Sequence, residues 1–311
     1  MSYKTVLVHV DESIHASERI KIAAAIAMAE NAHLIGIATT GASRYLVQTR
    51  ALAEMDPNLV EHLRFLRERA ERGLDEFEAT ARKIGMSSFE KRLVDDEAGG
   101  GICLQARYAD LVVIGQNDPN EISPVVMPDF PQYVVLNSGR PVLLIPYSGR
   151  FDKIGNRVLI GWDASMAATR AITNAIPLLR RAHMVAVAIF NPPAQSSAPG
   201  SEIALYLARH DIRIETLQRS TGQHIGTALL ALAGEMSADL IVMGGYGHAR
   251  FRASGLVPAF LKASTLSSFM ACLERRTRAA VARRTSGVSS MPVFGGDHLQ
   301  PCSRRSFNNW S

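Results

Sequence analysis

The sequence predicts an α/β protein built from two doubly wound, parallel-sheet sandwich domains. Short apolar runs alternate with helical stretches, the runs are apolar throughout, and the same segments occur twice in the same order. Strands that are buried on both faces have this continuous apolar pattern, and they belong to parallel sheets that are covered by helices. Right-handed crossovers between such strands place helices on both faces of each sheet.

An internal duplication organises the chain. Residues 6–13 match residues 158–165, and in each segment an apolar strand ends in Asp-x-Ser, at Asp11 and at Asp163. The other matched segments are 20–29 with 167–181, 32–38 with 182–188, and 109–115 with 238–244. Matched segments in matched order indicate a tandem duplication.

The remaining elements differ between the two units. Residues 59–84 form the longest predicted helix, whereas the corresponding helix at 202–210 is shorter. Residues 140–146 close the first unit as a strand with a proline at each end, which suits an edge strand or a strand at a partner's edge. Residues 265–270 stand where the last strand of the second unit is expected, although their serines weaken the pattern.

The chain of 311 residues has the length of two domains, at roughly 100–200 residues each. We predict domains at 1–148 and 154–272, followed by a basic, Arg/Ser-rich tail at 273–311 that is expected to be disordered. The tail contains seven arginines and two acidic residues, which accounts for the whole net charge of +5. Since no basic folded face remains, nucleic-acid binding is not expected.

The composition changes abruptly near the end of the second unit. One hypothesis is that the region from residue 253 onward is partly a reading-frame artefact or recent drift. The alternative is an added basic helix at 271–284, whose alanines permit a helix but whose apolar stripe is weak.

Cysteine usage and hydropathy indicate a cytoplasmic protein without a membrane span. The cysteines Cys103, Cys272 and Cys302 are too few and too scattered for a disulfide framework. No apolar run approaches the roughly 18–20 residues that a span needs. Cys103 follows three glycines near a predicted helix start, where a thiolate would be favoured, but a buried structural thiol is the preferred interpretation.

The candidate binding crevice lies at the carboxyl ends of the strands. Asp11 and Asp163 end the first strands, and Gly115 and Gly244 end the fourth strands of the two units. If these strands are neighbours, each aspartate faces its own glycine across the crevice. Asp-x-Ser is also a helix N-cap pattern, which is the preferred interpretation for the serines at 13 and 165, while ligand contact and capping both stay open for the aspartates.

Residues 238–248, Ala-Asp-Leu-Ile-Val-Met-Gly-Gly-Tyr-Gly-His, resemble the universal stress protein family, and the likeness extends over about 3–147 and 156–271. The resemblance implies an adenine-nucleotide α-hydrolase-like fold with strand order 3-2-1-4-5 and a role in surviving stress. It also implies pairing of fifth strands, in an internal pseudo-dimer or a homodimer. Many members bind ATP through Gly-x-x-Gly, nine residues, and then Gly-Ser or Gly-Thr.

The first unit departs from this motif. Gly115 takes the first glycine place, but Asp118 takes the second, and Pro128-Asp129 replaces the Gly-Ser pair. Pro128 has no N–H to donate, and each carboxylate beside a triphosphate costs on the order of 1 kcal/mol near 4 Å. We therefore expect no ATP in this unit. The two acids could hold a cation, but no third ligand is evident, and solvated loop acids are preferred.

The second unit keeps part of the motif. Gly244 and Gly247 are present and Gly245 is added, whereas Val257 and Pro258 replace the third glycine and the hydroxyl. Binding of ATP, with Mg²⁺ on its phosphates, therefore remains an alternative for the second unit alone. The other interpretation is a tight turn that follows a strand and holds no ligand.

Three alternative functions are compatible with these sequence features. The favoured one is a cytoplasmic tandem universal stress protein that acts as a binding or regulatory module, with no catalytic residue and no resident metal. The alternative is an ATP-binding member with slow hydrolysis in the second unit, held by Asp163, Gly244 and Gly247. The third, an enzyme of the wider fold group, would need a glycine-serine pyrophosphate loop after the first strand, which both units lack.

Overall fold

A ten-stranded sheet with helices on both faces forms the centre of the protein. The computed structural model describes residues 2–43, 56–121, 126–148, 153–192 and 200–245, together with the backbone of 268–273. These residues fall within one compact unit, Met1–Glu274. The predicted division into domains at 148 and 154 stays a prediction, and the predicted tail lies outside the described residues from 274 onward.

The first half supplies β1 to β5 and α1 to α4 in the described residues. Its strands are β1 (Thr5–His9), β2 (His33–Thr39), β3 (Phe89–Val94), β4 (Leu111–Gly115) and β5 (Val142–Ile145). Its helices are α1 (Ala16–Glu30), α2 (Pro57–Ile84), α3 (Ala98–Ala106) and α4 (Phe130–Asn137).

The second half repeats this pattern with shorter helices. Its strands are β6 (Arg157–Gly161), β7 (Met184–Phe190), β8 (Glu215–Arg219), β9 (Leu240–Gly245) and β10 (Ser268–Leu273). Its described helices are α5 (Met166–Leu179), α6 (Ser201–Ala208) and α7 (Ile225–Glu235).

The strand order is β3-β2-β1-β4-β5-β10-β9-β6-β7-β8. Each half has the order 3-2-1-4-5, which confirms the predicted fold class. Within each half the strand pairs are parallel, and β5 pairs antiparallel with β10, with Leu144 opposite Phe269 and Val142 opposite Ala271. The serine-containing segment near residue 268 is thus a strand, and since β10 includes Ala271, the alternative helix does not begin there.

Local sequence signals fix the ends of the longest helix. Asp56 accepts a hydrogen bond from the backbone N–H of Asn58 at 2.9 Å, and Pro57 occupies the first turn. At the other end Gly85 adopts φ +84°, a left-handed conformation that suits glycine. The 28-residue α2 therefore lies between a polar cap and a glycine stop, and it packs Phe77 against Gly36 of β2.

Two apolar layers cover the sheet. Helices α1, α2, α5 and α6 pack on one face, and α3, α4 and α7 pack on the other. The first layer is continuous between the halves, where Tyr3 Oη donates to the carbonyl of Asn174 at 2.6 Å and Arg181 lies 3.3 Å from Glu30. No helix in the described part of the chain has the length and apolar character that crossing a bilayer requires.

Candidate functional site

A cavity of about 550 Å³ opens in the first half, where β1 and β4 lie side by side. Both predicted crevice residues, Asp11 and Gly115, line it. The volume is within the range of small-molecule pockets. In parallel α/β sheets this place, beyond the carboxyl ends of neighbouring strands, is where ligands bind.

A buried arginine forms the floor of the cavity. Arg19, on the first turns of α1, is 3% exposed. Its Nη2 donates to Asp11 Oδ1 at 2.8 Å, and its Nε donates to the backbone carbonyl of His9 at 2.7 Å. Ser13 Oγ also donates to Asp11 Oδ1, at 2.6 Å. Asp11 is therefore held by an internal ion pair, and one of its oxygens is already saturated.

This network sets the protonation states of its members. Burial opposes ionisation of Asp11, but Arg19, assisted by His9 and the Ser13 hydroxyl, holds the pKa of the carboxyl well below its usual range. Burial lowers the pKa of His9 from 6.5 to about 4, and the pull of Asp11 only partly offsets it. At neutral pH the floor thus consists of a carboxylate, a guanidinium and a neutral imidazole.

The glycine at the end of β4 has a packing explanation. A Cβ atom at Gly115 would lie 2.5 Å from Arg19 Nη1. Gly115 thus leaves room for the guanidinium. This close contact explains why the position is a glycine, and a phosphate-binding role is not needed to explain it.

Few of the described amides at the start of α4 are available for an anion. The N–H of Phe130 donates to the backbone carbonyl of Met127 at 2.9 Å, and the N–H of Tyr133 donates to the backbone carbonyl of Asp129 at 2.8 Å. Pro128 and Pro131 have no N–H. Because an anion nest depends on unpaired N–H groups at a helix start, the α4 terminus is poorly equipped for phosphate.

Three side chains that the sequence did not associate meet at the mouth of the cavity. His15 Nε2 lies 2.9 Å from Asp118 Oδ2 and 3.9 Å from Glu121 Oε2. Asp129 is exposed and is not part of this group. No third ligand for Asp118 and Asp129 was evident from the sequence; in the structure the side chain beside Asp118 is His15, which Glu121 also faces.

Ser13 does not cap the first helix. Helix α1 begins at Ala16 with His15 at the N-cap position, and the Ser13 hydroxyl is engaged by Asp11. The predicted cap was wrong for this reason. His15 faces Asp118 rather than Ser13, so the three polar residues around Ser13 form no hydrolytic relay.

The cavity charges divide into paired and unpaired groups. Asp11 is neutralised by Arg19, and Glu12 by Arg69 and by Arg72, whose Nη2 lies 3.0 Å from Glu12. Among the described residues, the ion pairs of Asp118 and Glu121 are with His15, a titratable imidazole. The mouth of the cavity therefore has an excess of negative charge.

The corresponding crevice of the second half is built differently. Gly161 takes the place of His9 in the repeat, and Ala171 lies eight residues after Asp163, as Arg19 lies eight residues after Asp11. Asp163 is exposed, and its Oδ1 accepts the backbone N–H of Ser165 at 3.0 Å. The Ser165 hydroxyl accepts from Ala168 N at 3.1 Å, which confirms the predicted cap of α5. The intervening Ala164 has φ +59°, a strained conformation for a residue with a side chain.

The glycines that follow β9 are only partly described. Gly244 and Gly245 end the strand and pair with Cys272 and Leu273 of β10, whereas Gly247, Val257 and Pro258 lie outside the described residues. A Cβ atom at Gly244 would lie 2.6 Å from the backbone nitrogen of Ala168. Gly244 thus permits close contact between β9 and the first turn of α5.

We expect Gly244→Ala to destabilise the protein by about 1–3 kcal/mol, because a rigid backbone cannot move aside as a flexible side chain can. Chemical denaturation of the full chain measures the change. Gly234→Ala is the matched control, since nothing surrounds Gly234 in α7 and alanine favours a helix by about 0.5–1 kcal/mol. A Gly244→Ala protein as stable as the parent would contradict the packing role.

Cys103 behaves as a structural thiol. It lies on α3 and packs against the apolar layer of that face. Burial raises the pKa of its thiol to about 12, with only a small opposing effect from Arg107. The thiolate interpretation of the Gly-rich helix start therefore has no support.

Comparisons with known proteins identify a matching family and similar solved structures. Residues 2–146 match the Universal stress protein family. A universal stress protein from Archaeoglobus fulgidus DSM 4304 superposes with a TM-score of 0.68 at 15% identity, over 86% of this chain and 98% of that chain. A functionally unknown protein from Pseudomonas aeruginosa PAO1 superposes with a TM-score of 0.54 at 13% identity, over 87% and 92%. These likenesses establish the fold of both halves. No curated protein sequence matches the chain.

Proposed function

We propose that the protein is a tandem universal stress protein, on the premise that its residues 2–146 match the universal stress protein family. In this proposal it acts in the cytoplasmic stress response as a binding and regulatory module, not as an efficient catalyst. Its first half holds a degenerate nucleotide site, and its second half holds a partial one. The Arg19–Asp11 ion pair on the floor of the first cavity carries the proposal.

The ion pair is evidence that the nucleotide site of the first half is degenerate, because it occupies groups with which a nucleotide would have to bond. One oxygen of Asp11 is occupied by Arg19 and Ser13, and the guanidinium fills the space next to Gly115. A ligand that donates a hydrogen bond to Asp11 Oδ1 in place of Arg19 would leave the buried guanidinium without its carboxylate partner, which is costly.

Charge and backbone at the mouth oppose a triphosphate in the same cavity. Asp118 and Glu121 face the place where phosphates would approach a glycine loop, and Pro128 offers no donor. Each like-charge contact costs on the order of 1 kcal/mol near 4 Å even in water. The first cavity therefore suits a neutral or positively charged ligand.

The alternative, ATP binding with slow hydrolysis in the second half, has one specific observation in its favour. Asp163 is exposed. Gly161 and Ala171 stand at the same distances from Asp163 as His9 and Arg19 do from Asp11, so neither of these positions supplies a charged partner. This carboxylate is therefore accessible to the amino group of a base. Gly244, Gly245 and Gly247 would then lie beside the phosphates, with Mg²⁺ bound to the phosphate oxygens.

Calorimetric titration with ATP and Mg²⁺ tests the arrangement. We expect at most one nucleotide per chain, with any binding lost in Asp163→Ala and unchanged in Asp129→Asn, an exposed acid of the first half. Two nucleotides per chain, or binding that survives Asp163→Ala, would overturn the assignment of the two halves. The absence of heat at high micromolar ATP would eliminate the ATP-binding alternative and leave the binding module.

A further inference from the structure

The cluster of His15, Asp118 and Glu121 has the composition of a metal site. One imidazole nitrogen and two carboxylate oxygens, one atom from each residue, lie within 4.8 Å of one another. Ligand atoms about 2.0–2.2 Å from a common metal ion are separated by about 3–4.4 Å, so small side-chain adjustments bring the three onto one ion. The residues come from two loops, after β1 and after β4, which the sheet places side by side.

Backbone groups orient both carboxylates toward the histidine. Asp118 Oδ1 accepts the N–H of Asn120 at 2.8 Å, which leaves Oδ2 beside His15. Glu121 Oε1 accepts the N–H of Ile14 at 3.2 Å, which leaves Oε2 on the same side. In metal sites, outer hydrogen bonds of this kind hold the ligands in position.

The charge balance of the cavity is a separate observation that points to a cation. The other two acids of the cavity, Asp11 and Glu12, are matched by arginines, whereas Asp118 and Glu121 are not matched by a permanent positive charge in the described residues. A bound divalent ion would neutralise both acids.

We propose that His15, Asp118 and Glu121 bind a divalent first-row transition-metal ion at the mouth of the first cavity. A mixed imidazole and carboxylate set suits Zn²⁺ or Mn²⁺ better than Ca²⁺, which prefers oxygen ligands alone. Three protein ligands leave coordination positions open toward the cavity, where a small molecule or water can bind the ion. The inference does not depend on which half binds a nucleotide.

Titration of the full chain with Mn²⁺ alone, without nucleotide, tests the site. Electron paramagnetic resonance of free Mn²⁺ counts the bound ions, and Mn²⁺ has little affinity for the cysteine thiols of the chain. We expect one bound ion per chain. Since loss of an outer partner already weakens metal sites about 10–100-fold, we expect at least a tenfold loss in Glu121→Gln and in His15→Ala.

His33→Ala is the matched control. His33 also faces a carboxylate, with 3.7 Å between Nε2 and Glu90, but this pair is not part of a three-ligand cluster, so its removal should leave Mn²⁺ affinity unchanged. If His15→Ala fails to fold, Glu121→Gln decides, since it keeps the shape of the side chain. No Mn²⁺ binding up to 1 mM, or equal affinity in the parent and in Glu121→Gln, would overturn the proposal.

Discussion

Replacing Arg19 by methionine is expected to destabilise the protein by about 3–5 kcal/mol. The substitution keeps most of the buried volume but leaves Asp11 charged, with its guanidinium partner removed. Breaking a buried ion pair on one side has this cost because the remaining charge is uncompensated. The carbonyl of His9 also loses its donor. Urea denaturation of the full chain at pH 7 measures the difference.

The double variant Arg19→Met/Asp11→Asn separates the ion pair from general packing. Removing both charges leaves no buried ion, so the double variant should be more stable than the sum of the single changes predicts, by about 1–3 kcal/mol. The exposed pair of Arg64 and Glu61 is a suitable control, since solvent screens this ion pair and Arg64→Met should leave the stability close to that of the parent. If the changes in the free energy of unfolding are strictly additive and each single variant is as stable as the parent, Asp11 is in effect solvated, and the buried ion pair is contradicted.

Acidification between pH 6.5 and pH 4 should cost the protein about 3 kcal/mol of stability through His9 alone. The pKa of His9 is about 4 in the folded protein and 6.5 without the fold. Within this window the unfolded chain binds a proton that the native state does not, so stability decreases as the pH decreases. Each unit of difference in pKa corresponds to about 1.4 kcal/mol.

Denaturation curves of the parent and of His9→Gln across this window measure the effect. His9→Gln has no titrating group at this place, so acidification should lower its stability by about 3 kcal/mol less than it lowers that of the parent. Equal slopes in the parent and in His9→Gln would mean that the pKa of His9 is the same in the folded and unfolded states, and would contradict its burial as a neutral imidazole.

The sheet could be predicted because its signals are local. Each buried strand is a continuous apolar run, and the duplication shows which runs correspond. The order 3-2-1-4-5 came from the family resemblance and not from the apolar pattern. The predicted strand at 265–270 was the weakest of these predictions, because its serines break the pattern. The observed strand is Ser268–Leu273, and its pairing with β5 and β9 compensates for this weakness.

The crevice could be located from the sequence, but its chemistry could not. Asp11 and Gly115 mark the two strand ends, whereas Arg19 was missed because it lies within an alanine-rich helix. A signal was present, since a single arginine among apolar residues on a buried helix needs a partner. His15 and Glu121 are 106 positions apart, and only the neighbouring loops of β1 and β4 bring them together. Listing the acids and histidines of those two loops would have found them.

A crystal structure of the full chain grown with ATP and Mg²⁺ tests most directly whether the first half has lost its nucleotide site. The account predicts that no nucleotide lies between β1 and β4, that Arg19 still contacts Asp11, and that any ATP lies beside Asp163. A triphosphate in contact with Pro128, with Arg19 displaced from Asp11, would contradict it.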